Sequence, residues 1–478
     1  MKRMIALLLS CLLLTTLAGC NSISDTPISS DITQTLSTEA SSEAVSDAPE
    51  DKFINVFSTA NELTVLVKKY KELHPDFPYE IRACLPSSLD GAYHITLDSL
   101  LAAGGEMIPY IYSVEDLNVP RYSKGSSAKY AVPYKELGID IDRLLIEADI
   151  PQYVIDMGKN PAGEIVALSY DGTGGAFIYR RSIAKDVWGT DDPEIIKNKI
   201  GPGWERFFEA AEEVKAKGYA IVSSCAEIWD MVHNSAEKPW IVDGKLYIDP
   251  KREEYFDLVR RLVKNGYTNN TDPGFEGWFD DIRGVGEKKV LGFFGPSWFI
   301  NDVIRLNCDG EKTGEGSYGD WAVCEPPLGL FSGGTWVYVN KDSKHKEAIS
   351  DIIEWLTLDS SENGLQYYWA KDTSEEFSTL TAVASGTVMK KVSCILDIIG
   401  NQDMYHVFDR AARLANGYNR TEYDAIISHY WCTQAQEYAQ GKKSREQAIA
   451  DFKIKVKNAL EYYFRVSQSF DGEAIIIQ

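Results

Sequence analysis

The sequence predicts an α/β fold. Three observations carry that expectation. β-prone apolar runs alternate with segments whose apolar residues recur at helical spacing. Glycine- and proline-bearing turns separate these segments. The chain has 478 residues, 44% of them hydrophobic and 25% charged, a globular composition with length for two or three domains of roughly 150 residues each. Alternation of this kind argues for a mostly parallel sheet.

The elements follow in order. Phe53-Ile-Asn-Val-Phe57 is apolar and β-prone, and Leu63, Leu66, Val67, Tyr70 and Leu73 then recur at helical spacing until His74-Pro75 stops them. Tyr79 to Leu85 reads as a second strand, Leu97, Leu100 and Leu101 as a short helix ended by Gly104-Gly105, and Pro109 to Val114 as a third strand. Ile165 to Leu168 and Ala176 to Tyr179 read as strands around the turn Asp171-Gly-Thr-Gly-Gly175. Trp204, Phe207, Phe208, Ala211 and Val214 make one helical face, closed by Gly218. Val290 to Phe294 reads as a strand with a helix starting near Ser297, and Ala348, Ile349, Ile352, Ile353 and Leu356 form another amphipathic face. Beyond residue 400 the chain reads as wholly helical, with Ser444 and Gln447 spaced as a capping box.

The N-terminus reads as an export signal. Lys2 and Arg3 precede an apolar run from Ile5 to Leu14, shorter than the roughly 20 residues that span a bilayer, and small residues follow it. Leu17-Ala-Gly-Cys20 resembles a bacterial lipobox, which implies cleavage of residues 1–19 and lipidation of Cys20. An ordinary cleaved signal and an uncleaved membrane helix are the alternatives. Residues 21–50 hold eight Ser and four Thr, with no aromatic residue, Lys or Arg. Such a segment cannot bury enough apolar surface to offset the entropy of ordering it. Residues 20–51 are therefore expected to form a disordered tether with an r.m.s. reach of roughly 30 Å.

The balance of charge is acidic, 71 Asp and Glu against 49 Lys and Arg, a net −22. That field disfavours nucleic acid and adhesion to anionic membranes by charge alone. The six His residues show no metal-ligand spacing. The eight Cys form no C-x-x-C pair, so isolated buried thiols are expected in the body of the protein, although an exported location permits disulfides. Gly314, Gly316 and Gly319 match G-x-G-x-x-G in a charged polar stretch that reads as a surface loop. No cofactor and no metal is expected. Paired carboxylates able to hydrolyse a glycoside cannot be recognised by spacing in so acidic a chain.

Aromatic residues punctuate the loops. Trp229 follows Ser-Ser-Cys-Ala-Glu-Ile, Trp278 lies in Pro273-Gly-Phe-Glu-Gly-Trp-Phe279, Trp298 follows Gly295-Pro-Ser, and Trp336 follows Gly333-Gly-Thr. Each ring could plug a local core. Together, rings in glycine-flanked turns suit flat ligand faces, and the C–H faces of sugars stack on indole.

The order of segments resembles a family, the extracellular solute-binding proteins of carbohydrate ABC importers, over residues 53 to about 460. The carriers of the resemblance are Phe53-Ile-Asn-Val-Phe-Ser58 with its helix, Ala103 to Tyr112 with Tyr110 where Asp is usual, Ala176-Phe-Ile-Tyr-Arg180, Gly203-Trp-Glu-Arg-Phe-Phe-Glu-Ala-Ala211, Val285 to Trp298, Glu325-Pro-Pro-Leu-Gly329 with Gly333-Gly-Thr-Trp336, and Ser343 to Leu356.

The resemblance implies a type II two-lobed fold with a ligand cleft between α/β lobes and a helical C-terminal region. Crossings between the lobes are expected near 167–172, 332–337 and 385–400. Lobe one would then be 52–167 with 337–385, and lobe two 168–336 with 386–478. Trp298 would be a stacking platform of lobe two, Trp336 would face the cleft from a crossing, and Asn61 and Glu62 would be polar contacts of lobe one. Tyr112, Glu115, Asp171, Trp229 and Trp278 complete the expected binding set. The implied function is capture of a sugar, expected to be an oligosaccharide, and delivery to the permease subunits of an ABC importer. The protein would act as a monomer on the outer face of the cytoplasmic membrane, without catalysis. An exported glycoside hydrolase and a surface module binding carbohydrate or peptide are the alternatives.

Overall fold

The computed structural model describes residues 52–58, 62–84, 92–105, 107–371 and 382–467. The signal, Cys20, the tether and Asn61 lie outside the described residues.

The first strand, β1 (Phe53–Phe57), is buried on both faces, as a continuous apolar run should be. Its one polar residue, Asn55, donates from Nδ2 to the carbonyl of Ile108 at 3.0 Å. β2 (Glu80–Cys84) and β3 (Ile111–Glu115) pair with β1 in parallel. The helix Glu62–Leu73 between β1 and β2 buries Leu63, Leu66, Val67 and Tyr70, the face expected from the spacing.

The chain next returns to this sheet as β4 (Ala167–Ser169) and leaves it through β5 (Asp171–Gly172). β6 (Ala176–Arg180) then enters a second sheet, between β7 (Gly292–Gly295) and β8 (Trp321–Cys324). β9 (Thr335–Val339) comes back to insert between β3 and β4, antiparallel to both. β10 (Ala382–Val383) pairs with β5. The first sheet therefore runs β2-β1-β3-β9-β4 and the second β8-β6-β7.

The expectation of a mostly parallel sheet is corrected. Among the named strands of the described residues, parallel pairs join only β1 and its two neighbours, and every pairing of β9 and within the second sheet is antiparallel; isolated parallel bridges join Ala220 to Val290 and Val222 to Thr268. The cause is the chain's route: each return between sheets arrives from the opposite direction, so β9 runs against strands that were laid down before the crossing.

Hydrophobic cores lie on either side of the junction. One gathers Ile54 to Tyr170 with Trp336, Ile349, Ile352, Ile353 and Leu356. The others gather Trp321 of the second sheet with Phe207, Phe208, Trp278 and Trp431 from the helices around it. The C-terminal helices Asp424–Ala439 and Arg445–Ser467 pack beside Pro250–Lys264, where Trp431 donates to the carbonyl of Arg252 at 3.1 Å. The region after residue 400 is not wholly helical. Gln402–Asp403 is a short strand on Ile395–Leu396, and residues 413–423 link two helices as a loop. At Ser444 the hydroxyl accepts from the amide of Gln447 at 3.2 Å, as the capping spacing predicts. Gly314, Gly316 and Gly319 occupy a turn-rich loop with positive φ at all three. Cys225, Cys308, Cys324, Cys394 and Cys432 are buried free thiols, in agreement with expectation.

Candidate functional site

Three stretches of chain lie side by side where the sheets meet. β5 is bracketed by β10, with Gly172 facing Ala382, and by the return segment, with Gly174 bridging Phe331. The packing leaves no room for side chains: a Cβ on Gly172 would fall 2.3 Å from the carbonyl oxygen of Val383, and one on Gly174 2.4 Å from Cα of Ala412.

The return segment Ser332–Thr335 is the hub. Gly333 and Gly334 hold φ of +75° and +101°, conformations that cost a residue with a Cβ but not glycine. This backbone turns its polar groups outward to both lobes. The indole Nε1 of Trp298, from the loop after β7, donates to the carbonyl of Ser332 at 3.0 Å. The amide of Gly333 donates to Asp116 Oδ2 at 2.8 Å, and Thr173 Oγ1 donates to the carbonyl of Gly333 at 3.0 Å. The amide of Thr335 donates to Asp171 Oδ2 at 3.2 Å.

Carboxylates flank this hub on two sides. On one, Glu62 opens the helix after β1, Asp171 lies on β5, and Asp302 follows Trp298. Tyr170 donates its hydroxyl hydrogen to Glu62 Oε1 at 2.6 Å. Burial raises the Glu62 carboxyl above the usual range, against the Tyr170 bond. Burial, then the charge of Glu62, holds Asp171 well above it, and the same two causes push Asp302 up to about 6. Among the described residues, no cation figures among the groups that act on these three.

On the other side stand Asp116 at the end of β3, Asp230 in the helix Trp229–Asn234, and Arg420. The Arg420 guanidinium lies over the ring of Phe331, 4.9 Å from its centroid. Burial raises Asp116, while the amides of Gly333 and Leu117 and the charge of Arg420 oppose the rise. Burial pushes Asp230 up to about 6, with Arg420 opposing and Asp116 adding to it.

The expected binding residues divide. Glu62, Asp171 and Trp298 come together at the hub, with Trp298 itself only 6% exposed and packed into a lobe-two core. Glu115 ends β3 with an exposed side chain, its backbone paired with Thr335. Trp229 is 8% exposed and stacks on His233, ring centroids 5.2 Å apart, so most of the ring is packing.

Three expectations are corrected, since Tyr112, Trp278 and Trp336 are completely buried in lobe cores. Tyr112 stacks on Tyr338 across neighbouring strands at 5.1 Å, because this sheet is covered on both faces. The Trp336 indole donates to the carbonyl of Val154 at 3.1 Å, beneath the sheet. Trp278 donates to Glu227 Oε1 at 3.0 Å inside lobe two. Indoles need both an apolar bed and one acceptor when buried, and each finds them in the core.

Sequence reasoning missed Asp116, Asp230, Asp302 and Arg420. Asp116 follows Glu115 at a strand end, where its position was visible; the others carry no local signal.

Such a junction offers carboxylate acceptors from both lobes, an indole and one guanidinium. It can accept hydrogen bonds from several hydroxyl or amine groups at once.

Residues 110–393, more than half of the chain, match the family described as bacterial extracellular solute-binding protein. No curated protein matches the sequence. Among solved structures, an extracellular solute-binding protein family 1 member is similar at 17% identity, covering 85% of this chain and 99% of its own, with a TM-score of 0.70. The sugar-binding protein MalE from Xanthomonas citri is similar at 14% identity, over 88% of this chain and all of its own, with a TM-score of 0.64. The galacto-N-biose-/lacto-N-biose I-binding protein of an ABC transporter from Bifidobacterium longum, in complex with lacto-N-biose, is similar at 14% identity over 87% and 99%, with a TM-score of 0.61. These likenesses define the fold as the two-lobed one of periplasmic binding proteins.

Proposed function

This chain belongs to the bacterial extracellular solute-binding proteins, and we propose that it captures a sugar between its lobes and hands it to the permease of an ABC importer. It is a binding component of transport, not an enzyme. The observation that carries the reading is that Trp298, Asp116 and Asp171 all bond to the Ser332–Thr335 hub, with Glu62 near enough to act on Asp171 and Asp302, and Asp116 near enough to act on Asp230. Carboxylates accept hydrogen bonds from sugar hydroxyls, and an indole takes the apolar face. The sugar-binding neighbours support the same class of ligand. Differential affinity of the ligand for the closed arrangement would draw the lobes together.

The finer organisation belongs to the same proposal. Lobe one is 52–167 with 337–385, and lobe two 168–336 with 386–478. The mature protein starts at a lipidated Cys20 and stands off the outer face of the cytoplasmic membrane on residues 20–51, as a monomer.

A thermal-shift screen over mono- and oligosaccharides tests the reading. A ligand at 100 times its Kd adds about 2.7 kcal/mol of stability. A panel of sugars that produces no shift, beside a non-sugar solute that does, would overturn it.

A further inference from the structure

The loop 413–423 starts and ends in lobe two, yet it reaches lobe one. Before it, the helix Tyr405–Ala412 buries Tyr405, Val407 and Phe408 in a lobe-two core. After it, the helix Asp424–Ala439 buries Ile427 and Trp431 in the other lobe-two core. The loop is also stitched to the helix Trp229–Asn234 and its end. Asn416 donates its amide hydrogen to Asn234 Oδ1 at 3.2 Å, and Asn419 Nδ2 donates to the carbonyl of Ala236 at 2.7 Å. At the loop's C-terminal end, Asp424 is held by Thr421 and by His233 Nε2, 3.0 Å away, while Arg252 Nε donates to His233 Nδ1 at 3.1 Å. The loop is thus fixed to lobe two, and it also meets lobe one near its start, where Ala415 is buried in the lobe-one core and Arg413 donates to both oxygens of Asp149 at 3.1 and 2.7 Å.

Its tip grips lobe one at Lys124-Gly125-Ser126. The amide and hydroxyl of Ser126 donate to the two oxygens of the Glu422 carboxylate, at 3.2 and 2.8 Å. Lys124 Nζ donates to the carbonyl of Tyr418 at 3.1 Å. The carboxylate fills the place a side chain would need at position 125, where a Cβ would come within 2.6 Å of Glu422 Oε1.

The gripped tripeptide ends the short helix Val119–Ser123, which begins three residues after Asp116. The contact is therefore coupled through five residues of helix to a carboxylate of the junction. Arg420, in the same loop, contributes charge to Asp116 of lobe one and Asp230 of lobe two.

We propose that Glu422 and Ser126 form an inter-lobe clasp, carried on the 413–423 loop, that sets how much of the ligand-free protein is closed. The proposal rests on the two-lobed fold and not on the identity of the ligand. The clasp is suited to be reversible. Its carboxylate accepts two bonds in this structure, Ser126 is exposed and Glu422 half-buried, and water can replace the bonds if the lobes part. The fraction already closed sets the apparent affinity of any ligand that binds the closed form.

Small-angle scattering of the ligand-free full chain tests this. The curves are fitted as mixtures of open and closed forms for wild type, Glu422→Gln, Ser126→Ala and the double variant. Each single change is expected to lower the closed-to-open ratio roughly 5-fold, the equivalent of about one net hydrogen bond. The double variant is expected to fall short of the sum of the singles, because both changes act on the same contact. Neither residue is buried and both sides of the contact are tested separately, so a folding defect in one variant does not decide the result. Scattering curves that superimpose on wild type, or effects that add in the double variant, would overturn the clasp.

Discussion

Glu227 accepts the indole hydrogen of Trp278 at 3.0 Å, and that bond ties together three loops of lobe two. The same Oε1 accepts from Ser223 Oγ at 2.8 Å, and Oε2 accepts from the amide of Phe294 at 3.2 Å. Ser223 starts the loop that carries Asp230, and Phe294 precedes the turn that carries Trp298. One buried carboxylate thus spaces the lobe-two side of the binding junction.

Glu227 should leave a signature in the pH dependence of stability. Burial pushes its carboxyl up to about 7, against the bonds from Trp278, Ser223 and Phe294, and the neighbouring charge of Asp281 adds to the rise. A carboxyl raised in the folded state costs nothing below its ordinary value of 4.5, where it is protonated both folded and unfolded. Its stability contribution is then lost as pH climbs through about 7. Denaturant unfolding at pH 5 and pH 8 should show wild type weakening over this interval. Glu227→Gln should weaken less over the same interval. It should also be less stable than wild type at pH 5, because an amide nitrogen would face the Phe294 amide. Parallel pH curves for the two proteins would remove Glu227 from this role.

Asp302 should trade stability for binding. Burial and the charge of Glu62 push it to about 6, and no cation relieves it. Asp302→Asn is expected to raise the stability of the ligand-free protein at pH 8 by about 1 kcal/mol, a typical gain from a single stabilising change. The gain should shrink as pH falls through about 6 and vanish only below the ordinary value of 3.8, where the wild-type carboxyl is protonated in both states. Once the sugar screen supplies a ligand, the same variant should bind it about tenfold more weakly, which is one charge-assisted hydrogen bond at 1.4 kcal/mol per decade. A variant that is both less stable at pH 8 and unchanged in affinity would contradict this.

The two tryptophans of the glycine turns should part company. Trp298→Ala removes a ring at the hub and is expected to cost about 2 kcal/mol of binding, roughly 30-fold in Kd. Trp336→Ala empties a fully buried site beneath the first sheet and is expected to cost about 3–5 kcal/mol of folding stability. Melting temperature and affinity measured on both variants separate the roles. Equal losses of affinity with equal losses of stability would mean that the hub position of Trp298 confers nothing.

Cys20 is expected to carry the lipid. Mass spectrometry of the membrane-bound protein should find an acylated N-terminal cysteine at position 20, and Cys20→Ala should release the protein or leave it unprocessed. A mature N-terminus elsewhere would discard the anchor.

The sequence by itself determined the alternation of strands and helices, the faces those helices bury, and the family. These are local properties. Leu63, Leu66, Val67 and Tyr70 fall on one side of any helix with 3.6 residues per turn, whatever packs against it. Ile54 and Val56 demand burial wherever the strand goes. The order of such segments along the chain was enough to recognise a solute-binding protein. Only the tertiary structure decided which residues meet at the junction. Asp116 and Asp230 belong to different lobes, and nothing in the residues around either one predicts that the other stands near it. Trp298 and Trp336 have nearly the same local context, a glycine turn followed by an indole. One indole finds its acceptor at Ser332 on the hub and the other at Val154 beneath the sheet. The acceptor an indole reaches is set by the path of a distant segment, so tryptophans with equivalent sequence surroundings end up buried in different cores.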